Sequence, residues 1–254
     1  IPDPIISESN EEFKALAADW RFQKSLRLII PPNPEVENFL TRLRKELLAD
    51  SINTGKITNQ LKSFTESLAC QCFLNEYIYA LSQEEENYIN KLIEMAANSE
   101  EACHQHLAII GCYKPINEIN INPEYINSYP APDDSSKELI TAQFKEPHQE
   151  QKERFSFQEE HNATDTISQR VQEMYEENPY PRFKYADHTP SEKAKPIHKT
   201  IETEATKRHL IFSEKIKSLT AKPKVLIAGC GTGNQVILAS RYKNAAITAI
   251  DLSS

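Results

Sequence analysis

Long apolar runs are missing from this chain. No stretch approaches the ~20 consecutive apolar residues that cross a bilayer. No charged segment followed by an apolar one marks a secretory leader, and the first residue is Ile1. A cytoplasmic protein without membrane contact is expected, its two ends reading as cuts in a longer frame. An excess of basic residues is missing too. Lys and Arg number 29 against 37 Asp and Glu, a net charge of −8. Holding a phosphate backbone takes clustered cations, so nucleic acid is not an expected partner. The five cysteines are an odd number in a 254-residue chain, which argues against a disulfide framework and for reduced thiols. Cys70, Cys72, Cys103, His104, His106 and Cys112 have the residue types of a zinc site. Positions two apart on a helix, however, point about 200° apart. Buried thiols are expected there, and no metal.

What is present is an ordinary globular composition, 39% hydrophobic and 26% charged, enough for a packed core. Residues 1 to about 112 read as an antiparallel helical array with short connections. Asn33-Pro34-Glu35 opens a helix with a cap, a proline at the first position and an acid. Val36, Phe39, Leu40, Leu43 and Leu47 then share a face. Leu61, Phe64, Leu68 and Cys72 repeat that spacing. Ser82-Gln83-Glu84-Glu85 is a capping box before Tyr88, Ile89, Leu92 and Met95. Ser99 can cap a further helix ending near Gly111. Residues 113–135, dense in Asn, Pro and Asp, read as a connector. From Lys137 to Glu160 the chain is charged and reads as a solvated helix with a mobile stretch. Residues 165–177 are expected as a helix ended by Asn178-Pro179, 186–199 as a linker, and 200–218 as an amphipathic helix. The expected domains are a helical one over 1–135, a charged connector over 136–199, and a third unit over 200–254.

The third unit carries the chemistry. Of only five glycines in the chain, three lie in Gly229-Cys230-Gly231-Thr232-Gly233. Val225-Leu226-Ile227-Ala228 before them reads as a buried parallel strand. Val236, Ile237 and Ala239 after them suggest a helix, and Ala246–Ile250 a second buried strand closed by Asp251. The order is strand, glycine turn, helix, strand, acid. Glycines permit positive φ and leave room for a ligand against the backbone, and a helix start offers N–H groups to an anion. A carboxylate at the end of the second strand is placed to accept hydrogen bonds from ribose hydroxyls. A nucleoside-bearing cofactor is therefore expected. The dinucleotide fingerprint G-x-G-x-x-G would require glycine at 234, where the chain has Asn234.

The G-x-G-x-G pattern resembles motif I of class I S-adenosylmethionine (SAM) dependent methyltransferases. That resemblance implies an α/β fold: a helical N-terminal domain followed by the first β-α-β unit of a Rossmann-like domain, incomplete in this chain. It implies SAM held by Gly229, Cys230, Gly231, Thr232, Gly233, Asn234 and Gln235, with Asp251 and Leu252 at the adenosyl ribose. One departure is Ile227, where the family usually has an acid two residues before the first glycine. A second stretch, Tyr175-Glu176-Glu177-Asn178-Pro179-Tyr180-Pro181-Arg182-Phe183, resembles a segment of bacterial methyltransferases often fused to tetratricopeptide repeats. Gln71–Tyr77 is similar to the helical region upstream of it, so the likeness runs from about residue 60 to the end. No repeat of tetratricopeptide period lies within the chain. Tyr175, Tyr180 and Arg182 have two readings: a packed helix exit whose prolines fix a turn, or a lid over the cofactor. The function expected is methyl transfer to an unidentified small molecule or protein, with catalytic residues lying elsewhere. The competing expectation is a helical protein-interaction module bearing a non-catalytic methyltransferase-like unit.

Overall fold

The computed structural model describes residues 5–6, 10–31, 33–55, 57–157, 170, 188–211 and 222–251. Two compact units divide at Phe155 and Ser156.

The first unit is all helical. Its helices are α1 (Glu11–Ala18), α2 (Trp20–Leu28), α3 (Pro34–Thr54), α4 (Asn59–Leu74), α5 (Gln83–Asn98) and α6 (Glu100–Gly111). The short α7 (Pro123–Asn127) follows, then α8 (Asp134–Ile140), a π turn over Thr141–Lys145, and α9 (Glu146–Phe157). The caps sit where the sequence puts them. Asn33 accepts the Glu35 N–H with Pro34 in the first helical turn. Ser82 and Glu85 form the reciprocal capping box, and Ser99 caps α6 through the Ala102 N–H. On α5 the buried stripe is Glu85, Ile89, Leu92 and Ala96. Met95, expected on it, is 48% exposed.

The helix α4 is central, with every residue from Phe64 to Asn75 buried and with α1, α2, α6 and α8 packed about it. The sequence showed a single apolar face there, but its polar residues are buried too, because each finds a partner. Glu66 accepts the hydroxyls of Tyr129 and Ser135, and Ser67 accepts an N–H from Arg27. Arg44 of α3 is buried as well. It donates to the carbonyl of Ala80 and stacks over Tyr113, its guanidinium carbon 4.2 Å from the ring centroid.

Two expectations for this unit need correction. Residues 113–135 are not a bare connector: Ile116, Ile121, Ile126 and Tyr129 are all buried. Nor is the segment after Lys137 only solvated, since Leu139, Ile140, Ala142, Gln143 and Phe144 are core. Gln143, on the π turn, donates to the carbonyls of Ala69 and Gly111 and accepts from the Tyr77 hydroxyl. That polar lock ties α4, α6 and the π turn together. The helical unit therefore runs past the boundary expected at 135. Cys70, Cys72, Cys103 and Cys112 are buried, reduced thiols, and burial raises the Cys103 thiol to about 11. Among the described residues no group of three or more His, Cys, Asp or Glu side chains could hold a metal ion. No described helix is long and apolar enough to cross a membrane.

The second unit contains α10 (Ile197–Lys207), β1 (Lys224–Ala228), α11 (Asn234–Leu238), a 3-10 turn (Ala239–Arg241) and β2 (Ala246–Ile250). The strands pair in parallel, in register from Lys224 opposite Ala246 to Ala228 opposite Ile250. The helix expected over 200–218 starts earlier and closes at Lys207, and residues 212–218 lie outside the described set. The strands were expected to be buried and are not. Leu226 is 65% and Ile250 52% exposed. Among the described residues of this unit only Pro223 and Ala239 are buried. The physical reason is size: two strands and a five-residue helix cannot cover both faces of a sheet.

Candidate functional site

The parallel pairing brings the two parts of the motif together. β1 ends at Ala228, and the chain turns back through Gly229, Gly231 and Gly233, with φ of 71°, 50° and 88°. All three lie in the left-handed region that side-chain-bearing residues rarely enter. Gly233 is the N-cap of α11. A Cβ built on Gly231 meets nothing within 4 Å. The glycine is thus required here by its backbone angle, and the space beside it is open to a ligand.

Hydrogen bonds hold the turn against the end of β2. The carbonyl of Ile250 accepts from both the Gly229 and Cys230 N–H groups, at 2.8 and 3.2 Å. The Gly233 N–H donates to the Cys230 carbonyl at 3.0 Å. Asp251, one residue beyond β2, accepts the Gly231 N–H on Oδ2 at 2.6 Å. A charge-assisted bond of that kind is among the stronger ones. The carboxylate and the glycine turn, 20 residues apart in sequence, thus meet at the carboxyl ends of adjacent parallel strands, the place where open α/β sheets bind their ligands. Gly229, Gly231, Thr232 and Asp251 are exposed, whereas the Cys230 thiol, Gly233 and Asn234 are half-buried. Gln235, exposed, stands in the first turn of α11. Ile227, where the family pattern has an acid, is half-buried on β1.

The expected site is gathered only in part. Gly229 to Gln235 and Asp251 share the turn. Leu252, and the expected lid residues Tyr175, Tyr180 and Arg182, lie outside the described residues. The helix after the glycines is shorter than the sequence suggested. It contributes correspondingly little dipole.

One feature was missed. The stretch over 186–199, expected to be a linker, is docked where it is described. The Thr189 N–H donates to Ser240 Oγ, the Lys195 N–H to the Arg241 carbonyl and the Lys243 N–H to the Lys195 carbonyl. Lys195 and Tyr242 form a parallel bridge ahead of β2, at the opposite end of the strand from the glycine turn. Backbone pairing of this kind leaves no side-chain pattern from which it could be read. No family model matches the chain, and no curated protein or solved structure is significantly similar to it.

Proposed function

We propose that the second unit is the cofactor half-site of a SAM-dependent methyltransferase. The observation that carries the proposal is the pairing of three positive-φ glycines with the Asp251 carboxylate at the ends of two parallel strands. Asp251 is a carboxylate, an acceptor with two oxygens, at the strand end where ribose hydroxyls would bond to it. The open side of Gly231 leaves space for the rest of the nucleoside. Asn234 weighs against a dinucleotide, whose pyrophosphate fingerprint needs a third glycine there. Bound there, SAM would supply an electrophilic methyl group on its sulfonium for in-line transfer to the acceptor. The part of these residues is to position the cofactor, which is where most of the rate in such a transfer arises. The Rossmann-like fold, the cytoplasmic setting and the kinship with bacterial tetratricopeptide-associated enzymes belong to the same proposal, as does an acceptor that is a small molecule or a protein.

A second reading is favoured by the exposed sheet. A unit that leaves Leu226 and Ile250 open, in a chain with a well-packed helical unit, also fits a helical interaction module with a non-catalytic appendage. Calorimetry on the chain with SAM, S-adenosylhomocysteine and NADH separates the readings. Micromolar SAM or S-adenosylhomocysteine binding, about −8 kcal/mol, is the expected result. NADH binding without SAM binding overturns the assignment, and binding of none of the three leaves the interaction module.

A further inference from the structure

The helical unit has a cavity that the methyltransferase reading does not use. It has a volume of about 510 Å³, within the range of small-molecule sites. It opens between the starts of α4 and α6. Tyr129, Ala108 and Ile57 form its apolar wall, and Lys62, Glu100, Glu101 and His104 its polar one.

The aromatic wall is rigid. Tyr129 is 5% exposed, and its hydroxyl donates to the buried Glu66 at 2.8 Å. The other Glu66 oxygen accepts the Ser135 hydroxyl at 2.8 Å. The His104 ring meets Tyr129 edge-on at 5.7 Å. The Lys62 ammonium lies over the Tyr129 ring, 4.8 Å from its centroid. It forms no ion pair with a described carboxylate. His104 Nε2 lies 3.0 Å from the Tyr125 carbonyl. A carbonyl only accepts, so that nitrogen carries the proton and donates it. The other ring nitrogen is then an acceptor in the neutral ring.

The wall therefore offers one cation and two carboxylates to a ligand. A simple anion would gain Lys62 but face Glu100 and Glu101. A simple cation would gain the carboxylates but face Lys62. A molecule carrying both charges satisfies both sides, and an apolar remainder fits Ile57, Ala108 and Tyr129. We propose that this cavity binds a free apolar α-amino acid, its carboxylate at Lys62 and its ammonium at Glu100 and Glu101. The inference is independent of the cofactor site.

The test is a heteronuclear NMR titration of the chain with three probes of one shape. They are L-leucine, 4-methylpentanoate, which lacks the amine, and 3-methylbutylamine, which lacks the carboxylate. Saturable shifts centred on the amides of Lys62, His104 and Ala108 are expected with L-leucine. Each single-charge probe should bind at least tenfold more weakly. Lys62→Gln should weaken L-leucine at least tenfold. Glu101→Gln, a change at an exposed position, should weaken L-leucine while leaving 4-methylpentanoate no weaker. The absence of saturable shifts with L-leucine overturns the proposal, and so does equal affinity for either single-charge probe. Both comparisons use the unaltered chain, so they stand even if a variant folds poorly.

Discussion

Replacing Asp251 with alanine removes an exposed carboxylate that lies beyond the end of β2, so the fold of the helical unit should not depend on it. In the free protein its Oδ2 holds the Gly231 N–H at 2.6 Å. With SAM bound, the carboxylate would also accept the ribose hydroxyls. A hydrogen bond to a charged group contributes about 1.5–3 kcal/mol, which spans roughly ten- to hundred-fold in Kd. Exposure decides where in that range the loss falls. Water competes for both the carboxylate and the amide and screens the charge. The lower end, about tenfold weaker SAM binding, is the expected result. Asp251→Asn should lose less, because its amide oxygen can still accept from Gly231 while its NH2 donates to a ribose oxygen. The assay is calorimetry with SAM on the three proteins, beside far-UV circular dichroism to show that the helices of the first unit are intact. If the parent chain binds SAM and Asp251→Ala binds it equally well, the ribose assignment is wrong.

Three further outcomes follow from the structure. Gly231→Val forces a β-branched residue to φ near 50°, at about 1–2 kcal/mol or more. It should abolish SAM binding with the helical unit's unfolding midpoint unchanged, and retained binding would show that the turn is not the cradle. Gly111→Ala would place a Cβ 3.2 Å from Gln143 Oε1 and 3.3 Å from Ile116 Cδ1. Gln143 is held by hydrogen bonds on both ends of its amide, so crowding of about 1–3 kcal/mol should outweigh the roughly 1 kcal/mol of helix propensity gained; a raised Tm would refute this. Burial lowers the pKa of His106, which is 1% exposed with both ring nitrogens unpartnered. The unfolded state then takes up its proton near pH 6.5 and the folded state only at lower pH. The neutral ring's stability is therefore complete above about 6.5 and is lost below it, at up to about 1.4 kcal/mol per pH unit. Urea melts at pH 7.5 and 5.5 should show a smaller difference in His106→Leu than in the parent, and equal differences would refute the assignment.

Local chemistry was legible in the sequence, whereas packing among polar or scattered residues was not. A cap needs only a side-chain oxygen two or three residues ahead of an N–H, so Asn33, Ser82 and Ser99 announce their helices directly. The glycine turn and Asp251 were readable for a similar reason: backbone freedom and strand-end spacing are properties of the chain itself. The helix α4 hid its burial because Thr65, Glu66, Ser67 and Gln71 look like a solvent face. Only the distant partners Arg27, Tyr129 and Ser135 make that face an interior one. Between residues 113 and 145, Ile116 and Ile126 sit on elements too short to show a period, Ile121 and Tyr129 lie between elements, and the π turn shifts the register of Gln143. Composition there points to loop, and the burial of isolated side chains overrides it.

The two units also differ in what holds them, and the difference enters any measured affinity. The helical unit rests on a continuous core around α4. The glycine turn rests on a short set of hydrogen bonds to Ile250, Cys230 and Asp251, over a sheet whose apolar residues are largely exposed. Each such bond contributes about 0.5–1.5 kcal/mol net, and more where a charge takes part. The formed turn should therefore exchange with open conformations far more readily than the core does. When only a fraction of molecules is competent, the apparent Kd is the intrinsic Kd divided by that fraction. Covering the sheet would raise the fraction without touching the cofactor's own interactions. Asp251→Ala removes both a ribose acceptor and one of the bonds that close the turn. Its effect on affinity then has two parts, the missing ribose hydrogen bonds and a smaller population of closed turn. Hydrogen exchange at Gly229 and Cys230 measures the second, because both N–H groups are protected only while bonded to the Ile250 carbonyl. If Asp251 does hold the ribose, the affinity loss must exceed the loss of protection expressed in the same units; if the two are equal, Asp251 acts on the turn alone.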